Sequence, residues 1–289
     1  MLSQVGLYEA ILARRSVRRY DRRPLDEGTL AQVEEIVSRV KPLVVENRFE
    51  VLIREHPPGE DLVAVLGGYG RFVTPPHYLG PYMLGQEHLL EDLGYRVEQI
   101  AVGLSALGIG SCYIGTLRRE EEVQVRFGLP EDARIGAFLI FGRPSGTLGG
   151  RAFNTLMRWG AGASRKLPAE RIFFQDSFEN PAIPFPQISP LIEAARHAPS
   201  AVNAQPWRFL WHDGRLYLFV TRHNRRYGSG PQQRYSLYDG GICMANVTLA
   251  LEALGMEGRW VMLSGTEPDM PEHPAHLRPM ATLLLEQND

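Results

Sequence analysis

Leu191–Trp211, LIEAARHAPSAVNAQPWRFLW, decides how this chain is read, and the part from Pro199 to Trp207 carries most of the signal. An amphipathic helix must stop at Pro199, because proline lacks the amide that the helix ladder needs and drives its predecessor out of helical angles. Ser200 and Asn203 are short polar side chains suited to a turn, Gln205 offers donor and acceptor together, and Pro206 fixes the entry into a strand near Trp207. A helix end, a polar turn and an aromatic strand start make a rim suited to a flat polar ligand. An ordinary helix-to-strand connection has the same local chemistry.

The whole chain sets the bounds. With 289 residues, 44% of them hydrophobic, it can form one large domain or two small ones around a substantial core. A net charge of -2 argues against a broad nucleic-acid or acidic-membrane surface. Cys112 and Cys243 are too few for a disulfide framework and lack metal-site spacing, which favours a reducing cytoplasm. The amino terminus has no signal pattern, and no segment reaches the roughly 20 apolar residues that span a bilayer. The expectation is a soluble, cytoplasmic protein without a membrane or nucleic-acid partner.

A second polar motif lies near the amino terminus, after a short helix over Leu7–Ala13. Arg14, Arg15, Ser16, Val17 and Arg18 supply permanently charged planar donors around a hydroxyl, the chemistry a phosphate and its polyol require. A solvated basic face, or one that binds nucleic acid, is the competing reading. Thr29 and Gln32 form a capping box that opens the next helix, which ends near Pro42. After it, KPLVVENRFEVLI keeps the frame of helix, proline and strand without the polar turn.

Pro57–Glu60 reads as a turn, Asp61–Leu66 as a short helix, Gly67–Pro76 as a loop and Tyr78–Leu84 as a strand. A long helix over Glu87–Leu107 follows, with Leu93, Val97, Ile100, Leu104 and Leu107 at helical spacing. Gly108 and Gly110 stop it before a strand over Ser111–Ile114. These glycines close a helix instead of opening one, so a dinucleotide fingerprint is excluded. Glu120–Phe127 reads as a polar helix, Ile135–Gly142 as a buried strand and Ser145–Ala163 as a mobile cover or connection.

Past a proline-rich linker, Phe178–Gln187, Ser189 caps the helix that begins the opening stretch, with Pro190 in its first turn. Asp213-Gly214 between Trp207–Trp211 and Arg215–Val220 is a hairpin signal. A polar loop, Asn224–Gln233, and a second long helix over Leu237–Leu254 precede strands at Arg259–Leu263 and Met280–Leu285. His273 and His276 are spaced H-x-x-H around a proline with no third ligand nearby, so a surface pair is expected and no metal.

An offset of 147 residues pairs Asp92 with Asp239, Gly94 with Gly241, Leu104 with Leu251 and Gly108 with Gly255. The two long helices then enter aromatic strands at Tyr113 and Trp260. This periodicity divides the chain into two unequal repeats, residues 1–177 and 178–289.

The run P-S-x-x-N-x-Q-P-W at Pro199–Trp207 and the run R-R-S-x-R at Arg14–Arg18 resemble the two signatures of the FMN-dependent nitroreductase family. DLGYRVEQIAVGLSALGIGSCYIG resembles its central helix and flavin-edge strand, and Arg165 and Lys166 in SRKLPAERIFF its basic tail. The resemblance covers most of the chain, with only the two end motifs specific. It implies an α+β nitroreductase-like fold. Family members are homodimers in which the arginine motif and basic tail of one subunit meet the proline-serine turn of the other. This chain keeps the first set only in its first repeat and the second only in its second, which implies two intertwined repeats forming a single-chain pseudo-dimer with one FMN.

The resemblance assigns Arg14, Ser16, Arg18, Arg165 and Lys166 to the phosphate and ribityl chain, and Arg15 nearer the ring. Pro199, Ser200 and Asn203 would border the isoalloxazine with Gln205 behind them, and the backbone of Ile114 and Gly115 would face flavin N5. Arg71 would approach the pyrimidine edge. Gly115-Thr116 departs from the Glu-Gly usual in the family. The implied activity is hydride transfer from NADH or NADPH, through flavin, to a nitroaromatic, quinone or similar flat small-molecule acceptor, by a monomer with no catalytic side chain. A flavin-binding protein without turnover and a nucleic-acid module are the alternatives.

Overall fold

In a computed structural model the described residues are 4–55, 62–147 and 165–286. The turn expected at Pro57–Glu60 and most of the cover expected at Ser145–Ala163 lie outside them. The fold is α+β. Its first half comprises α1 (Gln4–Ala13), α2 (Glu27–Ser38), β1 (Arg48–Glu55), α3 (Leu62–Leu66), β2 (His77–Leu84), α4 (Leu89–Ala106), β3 (Gly110–Gly115), α5 (Glu120–Phe127) and β4 (Ala137–Gly142). A short β5 (Phe173–Gln175) leads to α6 (Ser189–His197), β6 (Trp207–His212), β7 (Arg215–Thr221), α7 (Tyr235–Leu254), β8 (Gly258–Met262) and β9 (Leu277–Leu285).

The strands form two sheets, ordered β1-β2-β4-β3 and β5-β6-β7-β9-β8. Apart from β5, the second repeats the order of the first, hairpin then crossed pair. β5 pairs in parallel with β6, so the end of the first half is built into the sheet of the second. Alternation along each strand divides inner from outer face. Leu139 and Phe141 of β4 join Leu216, Leu218 and Val220 of β7 in one core with α4 and α7. Phe138 and Ile140 face outward under α5, and Tyr217 and Phe219 outward beneath Phe174 and Phe178.

α4 and α7 are buried nearly all round, as the central helices of a core must be. They meet through two glycines. A Cβ on Gly94 would lie 2.2 Å from the Tyr238 carbonyl oxygen, and one on Gly241 1.9 Å from that of Glu91. The offset of 147 that relates Gly94 to Gly241 also relates Glu91 to Tyr238, so the contact is reciprocal, as across a two-fold axis.

Two helix starts differ from expectation. Asp26, not Thr29, caps α2: its carboxylate accepts from the Thr29 amide at 2.9 Å and the Thr29 hydroxyl at 2.8 Å, leaving Thr29 inside the first turn. Ser189 is the first residue of α6 rather than its cap. Ile188 holds the cap position with no side-chain bond, and Pro190 sits in the first turn as expected. The Asp213-Gly214 hairpin forms, both residues having φ near +50° to +70° (47° and 73°), as a tight turn between twisted strands requires. No helix among the described residues is long and apolar enough to cross a membrane.

Candidate functional site

The arginine motif leaves α1 and is joined to the outer edge of β3. Ser16 bridges Ser111 in parallel, and the Val17 amide donates to the Ser111 carbonyl at 2.9 Å. Backbone groups alternate between the two edges of a strand paired on one side. The Thr116 amide reaches the Gly136 carbonyl at 3.1 Å, toward β4, so residues 111, 113 and 115 present their backbone outward. Of the two residues expected to face flavin N5, Gly115 therefore has the outward direction and is exposed, whereas the Ile114 backbone belongs to the ladder.

Arg14 turns inward. Its guanidinium lies 3.4 Å from the Glu98 carboxylate of α4, both side chains buried, and the second Glu98 oxygen accepts from the Tyr113 hydroxyl at 2.6 Å. Burial pushes the Glu98 carboxyl up to about 7, with Arg14 and Tyr113 opposing the rise. Lys166 belongs to the same charge cluster. Burial and then Arg14 lower its ammonium to about 8, while Glu98 acts the other way. Arg14 Nε and one terminal guanidinium nitrogen, with Glu98 Oε1, have no hydrogen-bond partner among the described residues. Each such group costs about 1–3 kcal/mol, so the corner holds unused donor capacity for an anion.

The tail carrying Lys166 is tied to the proline-serine turn. Lys166 Nζ donates to the Ala198 carbonyl at 2.8 Å, at the end of α6. The Arg165 carbonyl accepts from Asn203 Nδ2 at 3.0 Å and Gln205 Nε2 at 3.1 Å, and the Leu167 amide donates to Gln205 Oε1 at 2.8 Å. The two side-chain amides thus hold the 165–167 backbone against the turn, with Lys166 in the charge cluster of Arg14 and Arg165 exposed. Arg15 is exposed and Arg18 half-buried. Arg71 ends an exposed 3-10 turn after α3 and takes no part in these links.

The turn is held in an unusual backbone conformation. Val202, Asn203 and Gln205 all have positive φ (48°, 52° and 48°), which costs most for the β-branched valine. Several bonds fix it. Ser200 Oγ accepts from the Gln205 amide at 3.0 Å, Arg226 donates to the Asn203 carbonyl at 2.8 Å, and Asp239 of α7 accepts from the Ala201 amide at 2.9 Å and the Tyr227 hydroxyl at 2.8 Å. Burial pushes the Asp239 carboxyl up to about 8 despite those donors.

A folded-state value above the unfolded one means that the unfolded chain binds fewer protons between the two, so this stability is present below about pH 4 and lost as pH rises toward 8. Asp239→Asn keeps an acceptor for Ala201 and Tyr227. It should flatten the pH dependence of urea unfolding between pH 5 and 8, at most about 1.4 kcal/mol per pH unit, and an unchanged slope would assign that dependence elsewhere.

Tyr235, the first residue of α7, closes the Gly115 side. Its hydroxyl accepts from the Leu117 amide at 3.2 Å, and a Cβ on Gly115 would lie 2.2 Å from that oxygen. The corner thus combines one buried cation, Arg14, and one half-buried, Lys166, with an open strand edge and a fixed turn from the other half. Glu98, Tyr113, Tyr235 and Asp239 were not among the sequence candidates. Asp239 had a signal, since it is an acid in the first half of a helix that is otherwise uncharged as far as Glu252.

The turn beside Asp92, the residue 147 positions before Asp239, is filled from within. Asp92, the counterpart of Asp239, accepts from the Leu43 amide at 2.9 Å, but Arg96 pairs with it at 2.9 Å and donates to the carbonyls of Val44 (3.0 Å) and Asn47 (3.2 Å). Cys243 stands at the position of Arg96 in α7. Among the described residues no group of three or more potential ligands could hold a metal ion, and His273 Nδ1 lies 2.9 Å from the Pro271 carbonyl.

Residues 6–227 match the protein-family model described as "Putative TM nitroreductase". The chain belongs to this nitroreductase family. A solved structure described as a putative nitroreductase (tm1586) from Thermotoga maritima MSB8 has the same fold, with a TM-score of 0.59 at 19% identity over 99% of this chain and 96% of that one. Nitroreductase A from Vibrio parahaemolyticus aligns with 49% of this chain and 69% of its own, at 17% identity and a TM-score of 0.44. The NADPH:FMN oxidoreductase from Vibrio harveyi, complexed with NAD+, aligns with 48% and 69%, at 18% identity and 0.43. No curated protein matches the sequence.

Proposed function

We propose that this chain is an FMN-dependent oxidoreductase that takes hydride from NADH or NADPH and delivers it to a nitroaromatic, quinone or similar flat acceptor. The observation that carries this reading is the corner where buried Arg14, two of whose guanidinium nitrogens have no hydrogen-bond partner among the described residues, and Lys166 stand beside the open edge of β3 and the Pro199–Gln205 turn. These residues fit the cofactor's chemistry. Arg14, Ser16 and Lys166 would hold the phosphate and polyol, with Arg18 and Arg165 adding positive charge and Arg15 nearer the ring. Pro199, Ser200 and the turn backbone would border the ring, and the Gly115 amide would donate to its N5 edge. Arg71 would reach the pyrimidine side only from its separate 3-10 turn.

When bound, FMN supplies the acceptance and release of hydride. The chain's own part is to neutralise the anion with Arg14 and Lys166, to keep the turn rigid through Asp239 and Ser200, and to narrow access at Gly115 with Tyr235. No side chain is needed as nucleophile. The common strand order, the reciprocal Gly94 and Gly241 contacts and the Arg96 plug support a monomeric pseudo-dimer of residues 1–177 and 178–289 with one cofactor site. Family membership agrees with a cytoplasmic oxidoreductase.

The visible spectrum of the purified protein tests this. Bound flavin, bleached anaerobically by NADH or NADPH and restored by a quinone, is expected at one per chain. Protein that retains no FMN at micromolar concentration sinks the proposal, and flavin that neither nucleotide bleaches would favour binding without turnover.

A further inference from the structure

The second half carries the same framework as the Gly115 corner with different side chains. Tyr113 faces Leu139 across β3 and β4, and Trp260 faces Leu283 across β8 and β9. Just beyond these pairs, the Thr116 amide meets the Gly136 carbonyl (3.1 Å) and the Leu263 amide the Met280 carbonyl (3.0 Å). The helix start that meets the strand end is Tyr235 of α7 in the first case and His88, which precedes α4, in the second. Met262 stands where the register puts Gly115. Beside it is a cavity of about 200 Å³ whose polar lining includes His88, Glu91, Arg222, His273 and Arg278.

We propose that this cavity is a second ligand site, which binds a small oxyanion such as a phosphate or carboxylate group. Its volume is below the roughly 300 Å³ at which pockets for drug-sized ligands begin, so the ligand is small. Two arginines and two histidines line the cavity with one carboxylate, Glu91, while Glu87 acts on His88 from outside the lining and the Glu267 carboxylate accepts from Ser264 and the Gly265 amide at its rim. Arg222 is anchored through Nε to the Leu277 carbonyl at 3.0 Å, Arg278 is exposed, and neither forms an ion pair with another described residue. Glu91, the one acid in the lining, lies 3.5 Å from His88 Nδ1 and is the chief cause of a raised imidazole value there, with Arg278 opposing it.

At the start of α4, His88 holds the cap position in the left-handed region (φ 53°) and makes no side-chain cap bond, which leaves the first-turn amides without a cap acceptor; of the two acids in that turn, Asp92 is paired with Arg96 and Glu91 lies beside His88. The site requires neither flavin nor nicotinamide, so it stands or falls separately from the proposed activity.

Imidazole NMR signals of the purified protein locate binding directly, His88 and His273 being assigned through His88→Gln and His273→Gln. Inorganic phosphate and, separately, acetate are titrated at constant ionic strength, with His197 as a reporter beside Lys166. Saturable shifts of His88 and His273 with at least one anion, weakened about ten-fold or more in Arg278→Gln, are expected. Arg278→Gln should leave the thermal midpoint in chloride unchanged. Shifts that do not saturate, that are the same in Arg278→Gln, or that occur only at His197 would overturn the site.

Discussion

Gly241→Ala is expected to destabilise the protein by about 3 kcal/mol, the upper end of what overpacking in a close-packed core costs. The added methyl would lie 1.9 Å from the Glu91 carbonyl oxygen, and Gly94→Ala would put one 2.2 Å from that of Tyr238. Both obstacles are backbone of a central helix, so relief requires α4 and α7 to move apart. Gly240→Ala is the control, since its methyl would meet the flexible Met280 side chain (Sδ at 2.4 Å) and the Val220 side chain at 3.1 Å. Alanine gains up to about 1 kcal/mol in helix propensity, which offsets much of that smaller clash. Urea unfolding of the three variants checks the ordering. A Gly241→Ala protein as stable as the parent would mean that the helices are not held at this distance.

These glycines also show how far the sequence could be read. Their spacing of 147 was visible, because an internal correspondence needs only identities along the chain, and it led to the two long helices that organise the core. That the glycines touch the opposite helix was not, since contact depends on how two buried faces meet. Helix starts failed for a local reason: Asp26 and Thr29 can both cap, and the choice falls to whichever side chain reaches the free amide, here Asp26. The polar run from Pro199 to Gln205 forms a turn after a helix, as its composition predicts. The partners of its side chains were hidden, because Asn203 and Gln205 engage a backbone segment almost forty residues earlier, at Arg165 and Leu167. A turn's polar side chains announce that bonds will be made without saying whether a ligand or the chain itself receives them.

The Arg14–Glu98 pair separates ligand binding from structure. Arg14→Gln should weaken FMN binding by about ten- to a hundred-fold, the worth of one charge-assisted set of hydrogen bonds at about 1.5–3 kcal/mol. It also removes the cation facing a buried carboxylate, a change that costs about 3–5 kcal/mol when the remaining charge cannot be relieved. Glu98 can relieve it by taking a proton, because burial already holds it near 7 with Arg14 in place. The cost of Arg14→Gln should therefore be small at pH 6 and grow toward pH 8, since a carboxyl raised above its unfolded value loses stability as pH rises through the folded value. Glu98→Gln in the same chain should remove that pH-dependent cost while leaving FMN weakly bound, because it restores neutrality without restoring donors. Fluorescence titration with FMN and urea unfolding, run on both single variants and the double variant, give the two readings. If the double variant recovers tight FMN binding, Arg14 serves only to balance Glu98, and the phosphate must be held by Lys166 and its neighbours.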